Sequence, residues 1–321
     1  MLTRGRAQQN LLDLTATLKQ FKIGSDKPVI CVRTTDNLAI AMKHMITNDT
    51  FFAPVINSMG IYVGVIDMFT LCNFTNWLHY QKPHPKKGTA NYNLLISCWT
   101  RFSVGEKMEH IPALRAGHSM LSAMETLVSY RQRRMVIVTH DNKPCGVFSQ
   151  SDVCDYLARS FAHDTGNTLA SLVETKLDSL LEAKTIATIK QSQWAITAFS
   201  KLKRSKFSGL GIVNDNGVLT DVVTAKDLAG LTSNLSSFYR LWEPLVKFKA
   251  AIREEYPSLP PRPLTCLAST SLQQAVLMMQ AAKVHRIFIV DAEGKPVNVF
   301  SQTDLLNIFV NTIRGGTTRV Q

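Results

Sequence analysis

The sequence predicts a mixed α/β (α+β) fold in which one strand–helix–strand–strand–helix unit occurs four times, packed as two tandem pairs with pseudo-twofold symmetry. Two observations carry that prediction. In the stretch 285–306 an apolar, β-branched run (287–290) breaks at Asp291-Ala292-Glu293-Gly294 and resumes at 297–300. At Ser301-Gln302-Thr303-Asp304 it passes into an apolar helical pattern. The same pattern then recurs upstream in a fixed register: Asp304 follows Asp291 at the interval at which Asp227 follows Asn214, Asp152 follows Thr139 and Thr70 follows Asn57. Equal internal spacing of a strand–turn–strand–helix unit marks a repeat architecture. A three-stranded unit cannot cover both faces of its sheet, so two units are expected to pack sheet to sheet.

Taken in order, unit one begins at an extended segment (26–33), followed by a helix over 38–46, strands at 53–56 and 62–66, and a helix over 68–79. Residues 82–93, with Pro83, Pro85 and Gly88, have the composition of a linker. Unit two runs through 111–116, a helix over 118–130, strands at 135–138 and 146–148, and a helix to 161. Residues 163–181 are expected to be helical after a polar break at 164–167. Unit three has 185–190, a helix over 194–203, strands at 210–213 and 219–223, and a helix to 231. An amphipathic helix over 241–256 is expected to stop at Pro257, and unit four follows through 264–267 and a helix over 272–284.

Hydrophobic residues make up 45% of the 321 positions and charged residues 19%, the balance of a globular chain with a real core. Six cysteines lie far apart with no C-x-x-C, which predicts reduced core thiols and argues against zinc. No apolar run approaches the roughly 18 residues of a membrane helix. The first 21 residues read as a leading helix and not as a secretory signal, with a mitochondrial presequence as the alternative; the expected location is the cytoplasm or the nucleus. A net charge of +12 would suit nucleic acid, an acidic partner or phosphate pockets. The denser basic groups (Arg131, Arg133, Arg134; Lys201, Lys203, Arg204, Lys206) sit just ahead of a unit's strand and lack interleaved aromatics. Phosphate pockets therefore fit better than nucleic acid.

Each Ser/Thr-x-x-Asp places a hydroxyl and a carboxylate at a helix start, where backbone N–H groups have no partner within the helix. Capping alone explains one copy and stabilises by about 1 kcal/mol. A carboxylate can also accept both hydroxyls of a ribose, and arginine offers a planar fork to phosphate. No nucleotide-triphosphatase, hydrolase, zinc-protease or kinase motif occurs, so no enzymatic activity is expected.

The unit resembles a CBS repeat. Four of them without an attached enzyme resemble the gamma, nucleotide-sensing regulatory subunits of AMP-activated protein kinase, and Ile46-Thr47-Asn48-Asp49 leading into Ala53-Pro54-Val55 is similar to a stretch of that family. The resemblance implies an N-terminal segment (1–19) and CBS repeats at 20–80, 94–161, 165–235 and 241–318. It implies AMP, ADP and ATP as ligands, no catalytic cofactor, and a kinase catalytic (alpha) subunit and a scaffold (beta) subunit as partners. By the same resemblance, Asp152, Asp227 and Asp304 would hold ribose; His285, Arg286, Arg133, Arg134, Ser301 and Thr303 would meet phosphate; Thr188 and Ser208 would line an adenine pocket. The chain departs from the family at Thr70, where an Asp is usual, at Phe51-Phe52, where Arg and a small residue are usual, and at Asp152, where the family carries Arg. These departures lead to the expectation that the Asp152 pocket is competent and the Thr70 pocket weak. Repeats three and four together are expected to bind more tightly than one and two. The alternative is a non-catalytic CBS scaffold whose sites have degraded.

Overall fold

The computed structural model describes residues 17–18, 28–80, 101–163, 170–205, 207–232, 235–255 and 263–315. The 82–93 linker, most of the N-terminal segment, the 164–167 break, Cys98, Lys206 and Pro257 lie outside them.

The described residues form four three-stranded sheets of one design. A short leading strand runs parallel to the first strand of a hairpin: Val32–Arg33 beside Phe52–Ile56, Leu114–Arg115 beside Arg134–Val138, Thr188–Lys190 beside Gly209–Val213, and Thr265–Cys266 beside Arg286–Val290. The hairpins close antiparallel on Tyr62–Asp67, Pro144–Ser149, Leu219–Thr224 and Pro296–Ser301. Each turn opens with a side chain that accepts backbone amides. Asn57, Asn214 and Asp291 use Oδ1 for the amides two and four residues on, and Thr139 uses Oγ1 for Lys143 N. The residue three positions later has positive φ and is Gly60, Gly217 or Gly294 in three repeats, but Asn142 in the second. This local chemistry explains the fixed interval in the sequence.

The first helices, Leu38–Thr47, Met120–Ser129, Ala195–Ser205 and Leu272–Ala281, and the closing helices Met68–His79, Gln150–His163 and Gln302–Ile313 match the expected ones to within a few residues. Three segments differ. Repeat three closes with a 3₁₀ turn, Ala225–Leu228, and a single α-turn, Ala229–Thr232, because Gly230 and Thr232 are poor helix formers. The helix expected over 241–256 starts only at Leu245, since Pro244 disfavours helix at Glu243; Leu235–Trp242 before it is 3₁₀. The described part of 163–181 holds two short helices, Ala170–Val173 and Leu177–Leu180, instead of one long one. Its backbone bonds outward there: Leu177 N donates to Thr270 O and Asp178 N to Ala268 O.

Those outward bonds belong to a general exchange. The segment leading into each repeat crosses to the partner repeat and pairs with the start of its first helix. Thr17 bridges to Ser119, Ser103 to Asn37, Lys176 to Ser271 and Pro244 to Trp194. The sheets of repeats one and two meet through Tyr62 N–Asn142 O and the Val65–Glu109 bonds, and those of repeats three and four through Leu219 N–Gly294 O. Gly64 is required at the first seam, where a Cβ would stand 2.7 Å from Glu109 O.

Helices join the two pairs. One buried cluster combines repeats one and three, with Met42, Met45, Cys72, Phe199, Leu202 and Phe248 fully covered. A second combines repeats two and four around Met124, Phe148, Phe300 and Phe309. Each large apolar side chain so covered contributes roughly 1.5–3 kcal/mol. The four repeats thus close a ring whose seams alternate sheet, helix, sheet, helix.

Candidate functional site

Strand register builds the site. In every repeat the first residue of the hairpin lies opposite the residue that caps the closing helix: Phe52 opposite Asp67, Arg134 opposite Ser149, Gly209 opposite Thr224, Arg286 opposite Ser301. One residue earlier stand Phe51, Arg133, Ser208 and His285. In three repeats the carbonyl of that residue accepts an amide from the start of the closing helix (Met68, Gln150 and Gln302). A side chain at either position therefore projects beside a helix N-terminus, whose partial positive charge attracts anions.

From these positions Arg133, Arg134, His285 and Arg286 converge, joined by Lys226 from the Thr224-Ala225-Lys226-Asp227 motif. His285 keeps an exposed face, yet its pKa is pushed down to about 4, first by loss of solvation and then by Arg134, Arg286, Lys226 and Arg133. Arg286 is pushed down to about 10 by burial and then by Arg133. Burial also lowers Arg133, Arg134 and Lys226. Among the described residues Arg134, Lys226, His285 and Arg286 form no ion pair.

Repeat one answers with aromatic faces and one acid. Lys226 Nζ lies 4.4 Å from the centre of the Phe51 ring, and the Arg133 guanidinium 4.5 Å from that of Phe69. Half-buried Asp67 has its pKa raised by desolvation and by Glu109, against Arg133 and Arg134. In this repeat the cap is reversed. Asp67 Oδ1 accepts the Phe69 and Thr70 amides, and Thr70 Oγ1 accepts Asp67 N, so hydroxyl and carboxylate have exchanged places. A departure that read as a lost acid is an acid moved three residues back.

The three motif aspartates share one inner arrangement. Asp152 Oδ2 accepts Ser149 N at 2.7 Å and Ser149 Oγ at 2.6 Å; Asp304 Oδ2 accepts Ser301 N at 2.7 Å and Ser301 Oγ at 2.6 Å; Asp227 Oδ2 accepts Thr224 N at 2.7 Å and Thr224 Oγ1 at 3.2 Å. The outer oxygen differs. Asp227 Oδ1 receives Lys249 Nζ at 2.6 Å, and Asp304 Oδ1 receives Lys184 Nζ at 3.0 Å. No described cation reaches Asp152 Oδ1. The charge of Arg134 nonetheless favours the ionised form of Asp152, whose pKa burial raises.

The remaining expected residues are placed as follows. Ser301 is the cap just described. Thr303 donates its hydroxyl to Gln150 Oε1 at 3.0 Å, and Ser151 donates to Gln302 Oε1 at 3.1 Å. These reciprocal bonds join repeats two and four and place Thr303 at their seam. Ser208 Oγ accepts Arg286 Nη2 at 2.7 Å and so orients a cluster arginine. Gly209 makes room for it, since a Cβ there would stand 2.5 Å from Arg286 Nη1. Thr188 pairs with Gly211, three residues along the strand from Ser208, which separates the two by roughly 10 Å. Thr188 lines a cavity of about 310 Å³ with Lys184, Ile186, Lys295 and Pro296. Sequence reasoning missed Lys226, although it stands inside a recognised motif. It also missed Lys184 and Lys249, which no local pattern marks because they arrive from exchanged leading segments.

The CBS domain family model matches residues 104–159 and 257–311, which lie in repeats two and four, and the shared register extends the same unit to repeats one and three. The chain is a CBS-repeat protein. Its fold is similar to that of a Methanocaldococcus jannaschii protein described as a candidate archaeal homolog of g-AMPK, at 18% identity and a TM-score of 0.67 over 90% of this chain and 99% of that one. An uncharacterized conserved protein from Pyrococcus horikoshii gives 15% identity and a TM-score of 0.52 over 89% and 98%. Among curated proteins, the chloroplastic CBS domain-containing protein CBSX2 of Arabidopsis thaliana is 24% identical over 144 residues. That match spans 40% of this chain and 60% of CBSX2. CBSX2 has been crystallised in complex with AMP. No helix among the described residues is long and apolar enough to cross a membrane, and these residues hold no cluster of metal-ligating side chains.

Proposed function

We propose that this CBS-repeat protein is a regulatory subunit that binds adenine nucleotides. AMP, ADP and ATP compete for the basic cluster, and occupancy biases a kinase catalytic partner held with a scaffold subunit. One observation carries the nucleotide reading: Arg133, Arg134, Lys226, His285 and Arg286, drawn from three repeats, converge and depress one another's protonation. Such a cluster is repulsive without an anion and is relieved by polyphosphate. Asp152, with an outer oxygen facing no described cation, supplies the ribose ligand next to it. The kinase and scaffold partners rest on the family resemblance.

Thermal unfolding with and without AMP, ADP and ATP tests the binding. At about 100-fold over Kd, nucleotide should add about 2.7 kcal/mol of stability, and Arg134→Ala should remove most of that gain. Equal unfolding curves with every nucleotide would refute it. A native pull-down that recovers neither a kinase nor a scaffold protein would refute the partner assignment.

A specific observation favours a second reading. The lysine partners of Asp227 and Asp304 suit a scaffold whose sites have been converted into internal ion pairs. The same unfolding comparison decides between the two.

A further inference from the structure

The three motif aspartates form a natural comparison series. Each spends Oδ2 on the amide of its capping residue, at 2.7 Å in all three, and on that residue's hydroxyl, at 2.6 Å in repeats two and four and 3.2 Å in repeat three. They differ in what meets Oδ1. We infer that Lys184 and Lys249 are internal counter-ligands that close the diol-binding positions of repeats four and three, so that of the three motif aspartates only Asp152 keeps an outer oxygen that no described cation meets.

The lysines reach these positions by the exchange of leading segments. Lys184 precedes the leading strand of repeat three and crosses to Asp304 of repeat four. Lys249 lies on the Leu245–Glu255 helix ahead of repeat four and crosses to Asp227 of repeat three. The corresponding stretch ahead of repeat one includes residues outside the described set, and no described cation arrives at Asp152. A vicinal diol binds a carboxylate by donating both hydroxyls to its free lone pairs. An ammonium already at 2.6 or 3.0 Å takes that place, and its charge makes it the stronger donor. Lys249 and Asp227 are also buried, so displacing the lysine would leave a cation with neither water nor an anion. The ranking expected from sequence, with repeats three and four the tighter pair, is thereby reversed.

The inference rests on the nucleotide-binding reading, and calorimetric titration of the full chain with AMP separates the two. Wild type should bind about one AMP per chain, and Asp152→Asn should weaken it about tenfold, the equivalent of one charge-assisted hydrogen bond. Lys184→Met, at the more accessible ion pair, should raise the number bound to about two, and Lys184→Met with Asp304→Asn should return it to about one. Should Lys184→Met fail to fold, Lys184→Gln keeps one hydrogen-bond donor without the charge and should give the same gain in weaker form. Unchanged stoichiometry in a folded Lys184 variant, or more than one AMP already on wild type, overturns the inference. If wild type binds nothing but the Lys184 variant gains a site, the counter-ligand role stands and the proposed Asp152 site falls. If neither binds, both fall.

Discussion

Repeats two and three begin their closing helices with the same bonds and end up with different sites. Asp152 and Asp227 each cap a helix through one oxygen, but Asp227 lies in a buried ion pair at 2.6 Å with Lys249, whereas Asp152 is half-buried with the Arg134 guanidinium nearby. At the register position of Arg134, repeat three has Gly209, filled from outside by Arg286. The comparison separates two roles that the motif superimposes. The inner oxygen serves folding, and the outer oxygen is where repeats with the same motif can diverge.

The largest effect should come from Lys249→Met. It strands a buried carboxylate and should cost about 3–5 kcal/mol in urea unfolding, while adding Asp227→Asn to the same chain should recover most of that loss. A cost below about 1 kcal/mol would place this pair among exposed salt bridges and erase the contrast. Gly209→Ala comes next. It drives a methyl into the Arg286 guanidinium and should destabilise by about 1–3 kcal/mol, with nucleotide affinity falling as Arg286 leaves Ser208. Asp152→Ala should cost only about 1 kcal/mol, the worth of a helix cap. A loss as large as that from Lys249→Met would mean that Asp152 is also internally paired.

The remaining effect concerns pH. His285 stands at the register position of Arg133 and holds its pKa near 4, against about 6.5 in an unfolded chain. As pH falls through about 6.5, the unfolded chain takes up a proton that the folded one refuses, so stability is lost down to about pH 4 and no further below it. Melting temperatures across that window should fall less steeply in His285→Gln. Polyphosphate, which favours the imidazolium, should bind more tightly as pH drops from 7 toward 5.

Much of the fold was legible because its causes are local. The turn residues Asn57, Thr139, Asn214 and Asp291, each followed three positions later by Gly or Asn, set the hairpins, and apolar spacing set most of the helices. The misread segments are those where backbone bonds leave for another repeat, as at Leu177 and Asp178. The site divides in the same way. Arg133, Arg134, His285 and Arg286 come together because each sits at a strand start fixed by the repeat. Lys184 and Lys249 were invisible because their targets are 120 and 22 residues away, on partner repeats. At Thr70 the sequence motif, read by position, hides a cap that works with its acid and hydroxyl exchanged.

The helical seams run between repeats one and three and between two and four, so each joins chain segments far apart in sequence. A ribosome that has delivered only the first two repeats has therefore released two sheets able to pair and two sets of helix faces with nothing to cover them. Met42 and Cys72 stay uncovered until repeat three has been made, and Met124 and Leu157 until repeat four has. Long-range pairing of this kind slows folding and leaves the nascent half prone to self-association. The first half made alone should collect with copies of itself, while the two halves produced together should find each other.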